Sequence, residues 1–231
     1  MAGGKGARLR PYTVTVPKPL VPVGEHPILQ ILLGQLKHSG VDRATIAVNH
    51  MADIIMAVLQ DGAKIGLEID YAIEEQPLGT VAPLKEIDDL PEHFLVMNGD
   101  LLTDLDFAQV YASHIESGAG LTCTAFRRQS MIDFGVMTLD AESNRLVRFE
   151  EKPVLELAVS MGVYVFSRDL LDRVPRGKPM GIDGLILGML AEKVPINTYY
   201  HQGYWLDIGR PEDYEKANSD VAEGLFPGLM P

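Results

Sequence analysis

Apolar runs of strand type and segments with helical periodicity alternate through the first half of the chain, and this alternation constrains the fold most strongly. Helical patterns begin after Pro27 and near residues 52, 81 and 106, where Asp106 is suited to cap a helix that reaches Ser117. Strand-type runs lie between them at residues 45–48, 67–73 and 94–97. Such alternation predicts a doubly wound α/β fold with a mostly parallel sheet in this half.

The pattern changes after residue 120, where strand-type runs follow one another. These runs occupy residues 121–126, 136–139, 146–149 and 159–166, with a turn at 140–144. Short helices near 170 and at 183–191, a strand at 197–200 and a helix after Pro211 complete the chain. The sheet as a whole is therefore expected to be mixed, in one domain of residues 1–220. Residues 221–231 are apolar but broken by proline and glycine, so a flexible tail is expected there.

Composition excludes several classes of protein. With 231 residues, 46% of them hydrophobic, the chain suits one large globular domain. No apolar run reaches membrane-spanning length and no cleavable leader is recognisable, so a cytoplasmic protein without a membrane partner is expected. A net charge of −12 argues against nucleic acid as a partner. The single cysteine, Cys123, lies in an apolar run and is expected in the core.

The segment from Met1 to Val23 is cationic although the chain is acidic. It carries Arg8 and Lys18, no acidic residue, and three glycines within its first six residues. Glycines let main-chain N–H groups approach phosphate oxygens, and the two cations can bind the same oxygens. Because prolines flank Lys18, its backbone is expected to be extended and constrained. The segment predicts a cradle for a nucleoside triphosphate; a mobile basic terminus is the alternative interpretation.

These motifs resemble those of a known family. Gly-Gly-Lys-Gly-Ala-Arg-Leu-Arg-Pro at residues 3–11, followed by Pro-Lys-Pro-Leu-Val-Pro-Val at 17–23, is similar to the signature of the sugar-1-phosphate nucleotidylyltransferases, or nucleotide-sugar pyrophosphorylases. Ala7 stands where the family usually has threonine. The resemblance implies a Rossmann-like, nucleotide-diphospho-sugar transferase fold, and catalytic roles for Arg8 and Lys18. The nucleotide-binding residues that it implies here are Ala2, Gly3, Gly4, Gly6 and Arg8.

Two aspartates are candidates for a metal site. Asp100 follows a predicted strand, and ligands bind at the carboxyl ends of strands in open α/β sheets. Asp207 lies in a second motif, Trp205–Gly209. Each could by itself be an ordinary turn residue. The resemblance implies that both bind Mg²⁺, which prefers a few carboxylates together with phosphate and water, and that Asp100 is catalytic.

Other motifs resemble the family's substrate-binding segments. Glu150–Pro153 matches its Glu-Lys-Pro motif, which implies that Lys152 is catalytic and holds the sugar phosphate. The sugar-phosphate residues implied by the resemblance are Gly135, Glu151, Lys152, Ser160 and Gly162. Ser160 replaces a frequent asparagine, which leaves the identity of the sugar open. The further nucleotide-binding residues implied are Gln76, Gly79, Thr80 and Asn98.

The implied reaction joins a nucleoside triphosphate to a sugar 1-phosphate and releases pyrophosphate. The Pro-Leu-Gly-Thr sequence at residues 77–80 looks more like that of the guanylyl-transferring members of the family, which implies GTP with mannose 1-phosphate or a related hexose or heptose phosphate. Thymidylyl, uridylyl or cytidylyl transfer to glucose 1-phosphate is an alternative. A glycosyltransferase of similar fold and a non-catalytic nucleotide-sugar sensor are others, although Asn98-Gly99-Asp100 is not the Asp-x-Asp typical of glycosyltransferases. A homo-oligomer is compatible with the sequence.

One departure from the family concerns the sheet. In the family, a central buried strand precedes the glycine loop, whereas here only Met1 precedes it. Two interpretations stay open: a chain shortened at its amino end, or a start assigned too far along the sequence. If the chain begins at Met1, the sheet is expected to lack its middle strand, with a loss of stability and binding unless another segment or a second subunit fills the gap.

Overall fold

The computed structural model describes residues 1–4, 6–74, 76 and 78–227. The helices are α1 (Ile28–His38), α2 (Ala52–Leu59), α3 (Phe107–Ser117), α4 (Ile182–Ala191) and α5 (Pro211–Ala222). The strands are β1 (Pro22–Val23), β2 (His26–Pro27), β3 (Arg43–Val48), β4 (Glu68–Ile73), β5 (His93–Met97), β6 (Leu101–Thr103), β7 (Leu121–Met131), β8 (Val136–Leu139), β9 (Leu146–Glu150), β10 (Val154–Ser167), β11 (Asn197–His201) and β12 (Trp205–Asp207). None of the helices described is long and apolar enough to cross a membrane.

The strands form a mixed arrangement, as the sequence predicts. The largest sheet has the order β11-β7-β10-β5, in which β11 is parallel to β7 and the other pairs are antiparallel. β3 and β4 form a parallel pair, and β12 pairs with β6. β8 and β9 form a separate hairpin whose residues are mostly exposed.

The sheet is interrupted between β3 and β5. Throughout the described ranges, no backbone hydrogen bond joins these two strands. Instead, the first two residues lie between their carboxyl ends. The Ala2 N–H donates to the Ala47 carbonyl at 2.8 Å, and the Met1 nitrogen donates to the Met97 carbonyl at 2.9 Å.

Local signals place most elements where the sequence predicts them. The Asp106 carboxylate caps α3 by accepting a hydrogen bond from the Gln109 N–H at 3.1 Å, and the helix ends at Gly118 with φ 61°. The helix predicted at 81–87 is instead a 3₁₀ turn at Ala82–Glu86, with Pro83 in its first turn. β7 and β10 extend well beyond the predicted runs, since they pair with each other far from the core.

The core is divided between the faces of the sheet. One cluster joins α1, α3 and the inner part of β10, with Leu32, Phe107 and Val163 fully buried. A second surrounds Phe166 and Met189, against α4. Near the carboxyl end, Phe226 is buried against Tyr204. Residues 228–231 of the predicted tail lie outside the described residues, and the domain boundary stays a prediction.

Candidate active site

An ion pair between Lys18 and Asp100 lies at the centre of the candidate site. Asp100 follows the carboxyl end of β5, and its side chain is 21% exposed; that of Lys18 is 12% exposed. The prediction that the backbone of Lys18 is extended is wrong. Lys18 begins a 3₁₀ turn, which forms because the Leu20 N–H donates to the Pro17 carbonyl at 2.8 Å and proline is tolerated in a first turn.

Asp207 and Arg8 lie beside this ion pair. Asp207 pairs with Leu101 across β12 and β6, and the Ile208 N–H donates to the Asp100 carbonyl at 3.1 Å. The guanidinium of Arg8 lies over Gly209, where an added Cβ would stand 3.4 Å from its Nη2 atom. The structure therefore brings together two cations and two carboxylates from three separate segments: the Met1–Val23 segment, the end of β5 and β12.

The electrostatics of this cluster favour a further cation. Partial loss of hydration raises the pKa of the Asp207 carboxyl, and the negative charge of Asp100 raises it further, against the opposing effect of Lys18. The Oδ1 atom of Asp100 is buried and has no hydrogen-bond partner within the described part of the chain. A divalent cation would satisfy this oxygen and offset the repulsion, and carboxylate pairs suit such a cation when phosphate and water complete its ligands. The residues present thus fit a divalent metal, although the described residues contain no group of three such side chains.

At Gly6, the glycine loop has the left-handed backbone conformation that its sequence predicts. Gly6 has φ 59°, and its carbonyl accepts a hydrogen bond from the Thr13 hydroxyl at 2.8 Å. A Cβ on Gly6 would stand 2.9 Å from the Thr13 methyl and 3.1 Å from the Lys18 Cβ. Only glycine therefore fits here without displacing the base of the lysine side chain.

The rest of the loop is anchored differently from one residue to the next. The Ala2 N–H is already bonded to β3, so it is not free for a phosphate. Gly3 lies against Asn49, whereas Gly4 has open space where a side chain would be. Lys5 lies outside the described residues.

Asn98 and Gly162 meet directly across β5 and β10. The Asn98 N–H donates to the Gly162 carbonyl at 2.9 Å, and a Cβ on Gly162 would stand 2.5 Å from the Asn98 Nδ2 atom. Ser160 shares a 2.8 Å hydrogen bond with the Tyr164 hydroxyl. The Trp205 indole donates to the Met161 carbonyl at 3.1 Å, which connects this group to the strand that carries Asp207.

The segment predicted to read the base packs against the start of α4. Gly79 has φ 86°, and a Cβ there would stand 2.6 Å from the Met180 carbonyl oxygen. The Thr80 hydroxyl accepts a hydrogen bond from the Ile182 N–H at 2.8 Å. Gln76 is exposed, and its neighbours Glu75 and Pro77 lie outside the described residues.

Three of the five residues predicted to bind the sugar phosphate lie at the exposed β8–β9 hairpin, namely Gly135, Glu151 and Lys152, whereas Ser160 and Gly162 lie on β10. The Lys152 ammonium pairs with Asp133 at 2.7 Å, and the Lys152 backbone has φ 45°. A Cβ on Gly135 would stand 2.5 Å from the Phe149 ring and 3.1 Å from Glu151. In the described residues, no hydrogen bond or ion pair connects Lys152 with Asp100.

Sequence reasoning missed three residues that shape the site. Gly209 allows Arg8 to approach Asp207, Thr13 fixes Gly6, and Asp133 holds Lys152. A signal existed for Gly209, since it closes the motif that contains Asp207. No comparable signal exists for the other two, because their partners are set by the tertiary structure.

The chain is similar to characterised proteins along nearly its whole length. It is 32% identical to mannose-1-phosphate guanylyltransferase of Mycobacterium tuberculosis, over 98% of this chain. It is also 32% identical to UTP–glucose-1-phosphate uridylyltransferase of Synechocystis, over 99% of this chain. The chain spans 65% of the length of each of these relatives.

Structural comparison and a family model agree with these relatives. The crystal structure of HddC from Yersinia pseudotuberculosis complexed with GMP-PN superposes with a TM-score of 0.71 at 26% identity, covering 95% of this chain and 96% of HddC. The nucleotidyl transferase family model matches residues 1–224. The chain therefore belongs to the nucleotidyl transferase family.

Proposed function

We propose that the protein is a sugar-1-phosphate nucleotidylyltransferase, which transfers a nucleotidyl group from a nucleoside triphosphate to a sugar 1-phosphate. The observation that carries this proposal is the cluster of Arg8, Lys18, Asp100 and Asp207 at the carboxyl end of β5. Two cations beside two carboxylates suit a polyanionic substrate that arrives with a metal ion. Family membership supports the same reaction class.

Charge neutralisation and alignment are sufficient for this reaction. The attacking phosphate of the sugar is already ionised, so no general base is required. Arg8 can bind phosphate oxygens with two hydrogen bonds, and Lys18 can act on them as a point charge. In the structure, Asp100 is the ion-pair partner of Lys18. On substrate binding, these cations would stabilise the departing pyrophosphate.

Asp100 and Asp207 would hold the divalent ion, for which Mg²⁺ is the candidate. When bound, this ion would neutralise charge on the phosphates of the nucleotide. The partnerless Oδ1 atom of Asp100 supports this assignment, because a buried carboxylate oxygen without a partner is costly.

GTP with mannose 1-phosphate, or a related hexose or heptose phosphate, is the substrate pair that we favour. One relative is named a mannose-1-phosphate guanylyltransferase, and HddC was crystallised with GMP-PN. UTP with glucose 1-phosphate is the alternative, since another relative is named a uridylyltransferase for that sugar phosphate. Cytoplasmic location and homo-oligomer formation stay predictions.

A matrix of nucleoside triphosphates against sugar 1-phosphates, scored by pyrophosphate release, tests the reaction and its substrates. The Asp100→Asn variant should lose at least about 100-fold in kcat, the typical effect of removing one charge-stabilising group. Asp42→Asn is the matched control, because it also removes an aspartate that is ion-paired with a lysine, here in an exposed pair with Lys37 that is separate from the Asp100 cluster. Full turnover by Asp100→Asn, or release of a nucleoside diphosphate instead of pyrophosphate, would contradict the proposal.

Lys152 provides a separate test of the sugar-phosphate side. We expect Lys152→Ala to raise the KM for the sugar phosphate and to change the KM for the nucleotide little. The substitution removes a cation only at the β8–β9 hairpin and leaves Arg8 and Lys18 in place. Lys37→Ala is the control for loss of an exposed lysine in an ion pair. An unchanged KM for every sugar phosphate would remove Lys152 from the site.

A further inference from the structure

Asp207 lies on a small ribbon that is separate from the four-stranded sheet. β6 and β12 form this two-stranded β6–β12 ribbon through three residue pairs, which run from Thr103–Trp205 to Leu101–Asp207. Two strands by themselves are marginally stable, and a slip of one residue would turn the Asp207 side chain to the opposite face. The position of Asp207 beside Asp100 therefore depends on contacts that hold the ribbon in register.

One carboxylate oxygen holds the end of the ribbon that lies away from Asp100. The Asp104 Oδ1 atom accepts the Tyr204 N–H at 2.6 Å, and it lies 2.8 Å from the His201 Nε2 atom. The same nitrogen lies 3.3 Å from the Tyr204 carbonyl. A carboxylate and a main-chain carbonyl both accept hydrogen bonds, so the Nε2 atom carries a proton, which it donates to Asp104.

The turn between β11 and β12 is shaped around Asp104. A Cβ on Gly203 would collide with the Asp104 carboxylate. The Asp104 N–H donates to the Tyr204 carbonyl at 3.2 Å, and the hydroxyl of the fully buried Thr103 donates to the same carbonyl at 2.9 Å. Two consecutive residues at the end of β6 therefore bind both backbone groups of Tyr204, which leads directly into β12.

His201 connects this turn to the four-stranded sheet. It is the last residue of β11, where it pairs with Phe126 of β7. The centroids of these two rings are 6.3 Å apart, and that of Phe126 is 5.4 Å from the Trp205 ring. The side chains of His201 and Asp104 are only 11% and 25% exposed, so their hydrogen bond is largely shielded from water. This bond therefore joins the four-stranded sheet to the ribbon that carries Asp207.

We propose that Asp104 and His201 are positioning residues for Asp207. Their hydrogen bond fixes the register of β12 against β6, and so keeps the Asp207 carboxylate beside that of Asp100. A site of this kind needs supporting contacts, because small displacements of its charged groups reduce their effect. The effect on turnover rests on the proposed function, whereas the placement of β12 can be measured without it.

Paired substitutions separate this role from a general loss of stability. Asp104→Ala and His201→Phe each remove one side of the hydrogen bond. Asp104→Asn and His201→Gln are the conservative variants, because they keep an acceptor and a donor in these positions. Asp106→Ala is the matched control, since the Asp106 carboxylate also accepts a backbone N–H, but from Gln109 of α3.

Solvent exchange of the Trp205 indole N–H, followed by NMR, measures the placement of β12 without substrate or metal. Trp205 is the only tryptophan of the chain, and its indole donates to the Met161 carbonyl at 3.1 Å. We expect Asp104→Ala and His201→Phe to speed this exchange more than about tenfold, the scale of one lost hydrogen bond to a charged group. The two conservative variants and Asp106→Ala should stay within about threefold of the parent chain.

The pyrophosphate-release assay measures the consequence for turnover. Asp104→Ala and His201→Phe should lower kcat at least about tenfold and raise the Mg²⁺ concentration that gives half the maximal rate. The KM for the sugar phosphate should change little, and the conservative variants should restore most of kcat.

Three outcomes would overturn the proposal. They are unchanged indole exchange in Asp104→Ala and His201→Phe, faster exchange with an unchanged kcat, and equal losses in Asp106→Ala. If the parent chain turns over no substrate pair, the proposed function fails, and the exchange rates alone then decide whether Asp104 and His201 fix β12.

Discussion

Gly79 and Gly118 offer a matched pair for testing how tightly the segment at residues 78–80 is docked. Both have positive φ, 86° and 61°. An added Cβ on Gly79 would stand 2.6 Å from the Met180 carbonyl oxygen, whereas one on Gly118 would meet nothing within 4 Å. Gly118→Ala therefore measures the backbone strain by itself, which is about 1–2 kcal/mol for a non-glycine residue in the left-handed region.

Gly79→Ala adds a steric term to that strain. Its Cβ falls about 0.8 Å short of the 3.4 Å at which ordinary contact begins, and the obstacle is backbone rather than a rotatable side chain. The Met180 carbonyl also accepts hydrogen bonds from Val81 and Ala82, at 3.0 and 3.3 Å. Displacing it would weaken both, at about 1 kcal/mol each. We therefore expect Gly79→Ala to destabilise the fold by about 2–4 kcal/mol.

Urea unfolding of the two variants against the parent chain supplies the measurement. The expected result is a free energy of unfolding at least about 1 kcal/mol lower for Gly79→Ala than for Gly118→Ala, from the hydrogen-bond term alone. In the proposed reaction, Gly79→Ala should also raise the KM for the nucleotide, and Gly118→Ala should not. Equal stabilities of the two variants would refute the reasoning, because the contact with Met180 would then cost nothing.

Three further predictions concern stability and reactivity. Burial opposes ionisation of Asp220, but hydrogen bonds from Lys216 and Tyr204 outweigh it and lower the pKa of this carboxyl below its usual 3.8. Asp220→Asn should therefore lose about 1.5–3 kcal/mol at pH 7. Because the folded pKa is lowered, urea unfolding should show this difference at pH values above 3.8 and its loss as the pH falls further. Asp106→Ala should destabilise the protein by about 1 kcal/mol in the same assay, and Asp106→Asn by less, because asparagine also caps helices. Burial raises the pKa of the Cys123 thiol to about 11, so iodoacetamide at pH 8 should label it far more slowly in the folded protein than in urea; equal rates would contradict this.

Much of the secondary structure follows from short-range signals in the sequence. The helical periodicity of residues 28–38 and 52–59 and the cap at Asp106 place α1, α2 and α3. These signals act within one or two turns of chain, so they operate before any tertiary contact forms. The conformation of Lys18 could not be predicted in this way, because hydrogen bonds within its turn override the preference imposed by Pro19.

The composition of the candidate site was open to sequence reasoning through its motifs, but its arrangement was not. Lys18 and Asp100 are 82 positions apart, and their ion pair depends on how the glycine loop crosses the end of β5. The same holds for the approach of Arg8 to Gly209 and for the burial of the Asp100 Oδ1 atom, which has no hydrogen-bond partner among the described residues.

By itself, the sequence determined the order of elements, the mixed character of the sheet and the residue types available for phosphate and metal binding. Only the tertiary structure decided which groups meet, that Lys152 pairs with Asp133, and that β3 and β5 are not paired with each other within the described residues. The physical reason is range. Periodicity and capping are local properties of the chain, whereas strand pairing and electrostatic clusters depend on contacts between segments that are distant in sequence.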